Sequence, residues 1–467
     1  MRRVLAIAAV GAAAPAVLVP LPVAGHGLTR LYEAPLPLAV YLAGAAVAVG
    51  LSFLFALLSK GTWTARPPEA TRSVPRLLVL ALRALGLLAW VWVIAQLVVG
   101  GSSAAEVGSL FTWVYGWVGL AIGCAVLGPI WSWLDPFTTL HDVGSAVARR
   151  LGAPERPHAA LPAAVAAWPA VGLFVLIVWL ELAYLRANMG LVVLGYTIVT
   201  LAGMSVYGRE AWRRQAEVFS VWFDVLGRLA LFVRAGPSGS ALVRRQHFPD
   251  GLLGAGWDRS LVTLVAVSVA AILYDGLSQT EPFYELFGLP AIAGSTLLLL
   301  GFLAIIAGLA LGLTRSVGVA AVGAGLLPIS VGYLIAHYLT FLLGDGQRIV
   351  VAVSDPLQLG WDLFGTAFHE PDLGWLAPSI VWTIMFVAVV GGHVLGAWAG
   401  HLGAVREAHD PTRVRREQVP LALLMIGLTT LTLWSLGQNV IAVQEVTVTT
   451  GGRAAGVPIA GAPASLP

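Results

Sequence analysis

The chain has 467 residues, of which 58% are hydrophobic and only 11% charged, with a formal net charge of +3. Its mean hydropathy is +0.85. Soluble chains carry roughly 25% charged residues, so a large water-soluble domain is excluded and a polytopic membrane protein is indicated. The basic residues are sorted by loop rather than gathered on one face, which gives no nucleic-acid surface. Lys60 is the only lysine in an Ala-, Gly- and Val-rich chain, a composition that suggests a GC-rich bacterial genome and hence a bacterial plasma membrane. Cys124 is alone in an apolar run, so no disulfide framework or thiolate metal cage forms within one chain.

In chain order, Arg2 and Arg3, the apolar stretch 4–24 and the small residues Val23-Ala24-Gly25 read as a signal sequence. Cleavage after Gly25 would make His26 the first residue; without it, 1–25 is an N-terminal helix. A membrane crossing needs about 20 apolar residues. Runs of that kind at 36–59, 78–100, 110–133, 164–185, 189–207, 260–277, 291–313, 317–343, 378–401 and 420–438 predict ten spans. The expected fold is therefore an all-α transmembrane bundle over 26–438, with lipid around it. The Gly-, Ala-, Pro- and Val-rich tail 439–467 is expected outside and partly disordered. No internal repeat is evident.

Loops 60–77, 134–163, 208–259 and 402–419 hold 19 of the 27 basic residues, whereas 101–109 and 278–290 hold none and 344–377 holds only Arg348. By the positive-inside rule the first set is cytoplasmic. In the longest of these, Phe219, Trp222 and Phe223 stand among eight arginines, and part of the segment is expected to lie on the membrane surface as an amphipathic helix.

With the topology set, six ionisable residues fall at or near the outer face. His337 sits in the apolar run Ile329 to Leu339, Asp275 and Glu181 near the outer ends of their helices, and His26 before the first span. Asp355 and Asp362 lie in the outer loop after the His337 helix. An ionisable residue within a span is costly and marks a functional candidate. Histidines with carboxylates at one depth suit a divalent metal, Zn, Mn, Fe or Cu, with geometry choosing among them. Each also has a plainer role open to it: interfacial carboxylates for Glu181 and Asp275, a turn at Asp355 before Pro356, a helix cap at Asp362, and an interhelical hydrogen bond at His337. His393, flanked by Gly391, Gly392 and Gly396, lies about 10 Å deeper than His337 on helix-rise arithmetic, as a further ligand, a proton relay or a structural contact. Arg83 is expected to snorkel to the cytoplasmic side. No HExxH, Gly-x-Ser-x-Gly, P-loop or dinucleotide motif is present.

Several segments, taken together and in order, resemble a family of actinobacterial polytopic membrane proteins labelled fenitrothion hydrolase. They are His26-Gly27-Leu28, Trp133-Leu134-Asp135-Pro136, Tyr207-Gly208-Arg209-Glu210-Ala211-Trp212, Tyr274-Asp275-Gly276, Ala336-His337-Tyr338, Ser354-Asp355-Pro356 with Trp361-Asp362-Leu363-Phe364-Gly365-Thr366, and Gly392-His393-Val394. Asp135-Pro136-Phe137 stands where the family pattern has Asn-Pro-Trp, and Tyr274 where it has Phe. The resemblance implies hydrolysis of an organophosphate triester, an apolar substrate able to enter from the bilayer. A metal at the outer site would supply the attacking hydroxide, with His337 and His26 as ligands and Asp275 and Asp355 as ligands or base. Two further readings stand beside it. His26 as a free N-terminus could chelate copper through its amine and imidazole, as in a copper-handling protein or oxidase. Alternatively, His337, Asp275 and His393 could line a proton- or ion-coupled transport pathway.

Overall fold

The computed structural model describes residues 37–58, 63–98, 102–152, 158–184, 188–236, 240–254, 256–288, 290–407 and 416–438. Residues 1–25, His26 and the tail 439–467 lie outside these ranges, so the signal, N-terminal ligand and tail expectations concern undescribed residues. The architecture is an all-α bundle. Among the described residues nine helical segments are long and apolar enough to cross a membrane, and each coincides with an expected span. The remaining expected span, 36–59, is helix α1, Leu38–Leu58.

In chain order, α2 is Arg76–Val98. The next crossing is composite: α3, Ser102–Phe111, passes through a π-helical stretch, Thr112–Gly119, into α4, Leu120–Val126. It stops short of the expected 133, because Gly128 takes a φ of +118° and packs against the Phe232 carbonyl. Two short helices follow, α5 (Trp131–Leu134) and α6 (Pro136–Arg150). The crossings α7 (Trp168–Leu182) and α8 (Met189–Tyr207) precede two further short helices, α9 (Arg209–Gln215) and α10 (Val218–Leu226). The last crossings are α11 (Arg259–Ser278), α12 (Ile292–Val317), α13 (Val319–Gly344), α14 (Pro378–Glu407) and α15 (Val419–Leu436). Three short antiparallel strands, β1 (Arg72–Ser73), β2 (Phe232–Arg234) and β3 (Leu242–Arg245), pair in the order β1-β3-β2 on the side of the basic loops.

Helices α11 and α13 form the axis. Both are buried at nearly every position, as expected of helices that are apolar all round. Helix α13 packs on α14 with the backbones almost touching. A Cβ added to Gly332 would lie 2.4 Å from the Ala388 oxygen, one on Gly392 2.6 Å from the Pro328 oxygen, and one on Gly396 2.3 Å from the Gly325 oxygen. In lipid, where apolar side chains gain nothing by leaving the solvent, such close packing is a principal source of helix association.

The segment after α8 corrects the surface-helix expectation. Helix α10 is buried at Val218, Ser220, Val221, Trp222, Phe223, Val225 and Leu226. The chain turns at Gly208, and α9 folds back along α8, with the Trp212 ring against Gly203 and stacked on Tyr207. At the α9–α10 junction the Tyr196 hydroxyl donates to Glu217, about 16 Å back along α8 from Tyr207. The segment is thus re-entrant. Non-helical backbone is tolerated at such depth when protein surrounds it. Here Glu217 Oε1 and Oε2 accept from the Phe219 and Ser220 amides, at 3.1 and 2.7 Å, so the free amides of α10 are capped.

Candidate functional site

Asp275 lies in the last turn of α11, 3% exposed. Its Oδ2 accepts from His337 Nε2 at 2.7 Å and from the Tyr338 hydroxyl at 3.1 Å. Its Oδ1 accepts from Gln279 Nε2 at 2.8 Å. Consecutive residues of a helix point about 100° apart, and the carboxylate sits in the angle between the two that α13 offers. Asp275 is therefore no solvated interfacial carboxylate, and His337, 7% exposed, is bonded across helices. With Nε2 donating, the neutral imidazole leaves Nδ1 as an acceptor.

Two narrow crevices flank this clamp, each wide enough for about one water. One is lined by His337, Gly276 and Tyr333 with Thr432 and Ser435 of α15. Gly276 makes its space: a Cβ there would sit 3.5 Å from His337 Nδ1 and 3.1 Å from Ser435 Oγ, so an atom at that point touches both polar groups. The other is lined by Tyr338 and Glu181 with the rings of Trp117, Phe174 and Trp222. The one Asp275 oxygen thus holds a residue from each crevice.

The remaining candidates disperse. Glu181, near the end of α7, lines the Tyr338 crevice beside the clamp. His393 is fully buried one turn deeper; its Nδ1 donates to the Val389 carbonyl at 2.8 Å and its Nε2 faces the Tyr333 hydroxyl at 3.5 Å. Since Tyr333 also lines the His337 crevice, a broken line of polar groups runs from Asp275 to His393. Asp355 forms a turn, accepting from the Leu359 and Gly360 amides at 2.9 and 2.8 Å. Asp362 caps no helix; it accepts from the Ala367 amide and the Ser354 hydroxyl, at 3.0 and 2.9 Å. These bonds hold its carboxyl below the ordinary range, the Ala367 amide first and the Ser354 hydroxyl next. Among the described residues no group of three or more His, Cys, Asp or Glu could hold a metal ion, and His26 lies outside them.

Sequence reasoning passed over Tyr338 and Gln279 as partners of Asp275. Gln279 was within reach of it, four residues on along the same helix face. It also passed over a second buried network. Asp135, 1% exposed, caps α6 through the Phe137 and Thr138 amides and pairs with Arg213 Nε at 3.0 Å. The same Nε also faces Ser220 Oγ at 3.1 Å, and Ser220 lies beside the fully buried Glu217. The signal for the cap was Asp135-Pro136, an N-cap followed by proline at the first helical position.

Comparison with protein-family models, curated proteins and solved structures finds no match. The fold and the apolar helices define the class, an all-α polytopic membrane protein.

Proposed function

We propose that this is a proton-coupled membrane transporter in which the His337–Asp275 pair takes up and releases the coupling proton. One observation carries the reading: a hydrogen-bonded His–Asp pair is nearly sealed inside a membrane bundle, with a water-sized opening on the histidine. Imidazole is the side chain that changes charge near neutral pH, and intramembrane His and Asp mark proton routes in pumps and transporters. The titratable neighbours are Tyr338 and Tyr333 on the same helix, the latter lining the histidine crevice, and Glu181 on α7 across the second crevice. Protonating the pair rearranges a bond shared with Tyr338, which offers a path from proton to conformation. The organophosphate hydrolase implied by the resemblance requires a seat for a triester and a metal-held water. Both crevices are of single-water size, and that reading draws its support from the resemblance.

The test is charge movement after a pH step on proteoliposomes adsorbed to a solid-supported membrane. Wild type is expected to give a transient current that Asp275→Asn abolishes. No current in wild type, or an undiminished current in Asp275→Asn, overturns the proposal.

A further inference from the structure

The crevice on the Tyr338 side has the chemistry of a binding site. Its walls are the rings of Trp117, Phe174, Trp222 and Tyr338, and Glu181 is the one carboxylate among its lining residues, with no basic residue there. The Trp117 and Trp222 centroids are 4.5 Å apart and those of Phe174 and Trp222 5.2 Å, so three rings form one continuous aromatic surface. Ring faces attract cations, and a carboxylate beside them adds charge of the required sign. Small hydrated metal ions find few oxygen ligands on such walls. An alkylated ammonium sheds its water more readily and matches both ring and carboxylate.

A second observation concerns the wall that α10 contributes. Trp222 is 2% exposed, and its indole Nε1 is buried without a hydrogen-bond partner. A buried donor left unpaired is costly, so this side chain is held by packing alone. It lies on the re-entrant helix α10 and forms one wall of the crevice. The present space takes about one water; movement of Trp222 is what would enlarge it.

We propose that this crevice binds a small organic cation of the alkylammonium class and that this cation is the transported solute. The inference rests on the proton-coupled reading above. Asp275 supplies the coupling: its Oδ2 accepts from Tyr338 on the crevice side and from His337 on the other. A cation seated against Tyr338 and Glu181 places positive charge beside the carboxylate that stabilises a protonated His337. The two positive charges repel across a low-dielectric interior, so cation entry expels the proton and protonation expels the cation. The result is exchange of one for the other.

The experiment uses full-length protein in nanodiscs and equilibrium dialysis of radiolabelled benzyltrimethylammonium, with its neutral carbon isostere neopentylbenzene as competitor. Saturable binding is expected, weakened at lower pH and insensitive to the isostere. Loss of the cation–ring and cation–carboxylate attractions is expected to weaken it about tenfold in Glu181→Gln. Trp222→Phe, which keeps an aromatic ring, should weaken it less, and thermal melting verifies that both variants are folded. Displacement by the isostere, or equal binding in folded Glu181→Gln and Trp222→Phe, overturns the assignment. Absence of binding while wild-type pH-step currents persist removes the cation and leaves the proton reading intact. Binding that depends on Glu181 in a protein without pH-step currents keeps the site and removes the exchange.

Discussion

Asp275 holds two sequence neighbours on one oxygen, and this fixes what each substitution should do. His337→Ala takes the 2.7 Å donor away from a buried carboxylate, and losing a buried hydrogen bond to a charged group costs roughly 1.5–3 kcal/mol. His337→Gln retains an amide donor and should recover part of that loss, read as the thermal unfolding midpoint in detergent. If Ala and Gln melt alike, the 2.7 Å bond is not what holds α13 to α11 here. Asp362 sets a different, pH-dependent case in the outer loop. Its carboxyl lies below the ordinary value of 3.8 because the Ala367 amide and the Ser354 hydroxyl favour the charged form. A depressed acid contributes order above its unfolded value, and that order is lost as pH falls from there through the lowered native value. Amide exchange at Ala367, corrected for intrinsic rate, should therefore rise selectively in that acid window. In Asp362→Asn it should already be raised at neutral pH, and an unchanged rate would remove Asp362 as the organiser of this turn. The turn at Asp355 was one of two readings open in the sequence, because an aspartate before proline satisfies local amides as readily as it binds a ligand; Asp362, followed by Leu363, offered no spacing that separates the two.

Elements show where sequence patterning carries information and where it fails. The close approach of α13 and α14 is written in glycines, and its sensitivity follows. Gly392→Val places branched carbons where even a Cβ would lie 2.6 Å from the Pro328 oxygen. Overpacking of this kind costs about 1–3 kcal/mol and should also displace the adjacent His393 from Tyr333. A lowered melting midpoint with a changed His393 imidazole NMR signal is expected; a normal midpoint would mean that the helices part without cost. The re-entrant pair α9 and α10 was hidden for a physical reason. Arg209, Arg213 and Arg214 announce a cytoplasmic loop, and a helix as short as Val218–Leu226 cannot register as a crossing of about 20 residues. What holds the arginine inside is Asp135, visible only once α6 is brought beside α9. Arg213→Met strips the cation from the buried Asp135 carboxylate and should cost roughly 3–5 kcal/mol, with Asp135→Asn in the same chain restoring much of it. Chemical unfolding in detergent measures both, and strictly additive losses would argue against the pairing.

At the scale of the whole molecule, the order of crossings was legible because a bilayer imposes length and apolarity on each one. The clamp was half legible: the cost of burial singles out His337, while its distance to Asp275 depends on how α11 meets α13, which no periodicity encodes. That assembly also limits how the molecule can move. Helices α12 and α13 are joined by Gly318 alone, at a φ of +92°, and the Glu407 carboxylate at the end of α14 accepts from the Ala320 amide at 3.2 Å. A side chain on Gly318 would collide with Glu407. The adjoining ends of three crossings are thereby pinned at one point, and any rocking of α13 has that point as its fulcrum. Spin labels at Arg315 and Val319 should keep one distance at all pH values. Labels at Leu297 and Leu342, at the far ends of the same levers, should broaden or shift when the His337–Asp275 pair is protonated. On the proton-coupled reading proposed above, a bundle hinged in this way opens at the end away from Gly318, and a solute would exchange on that side each time the proton does.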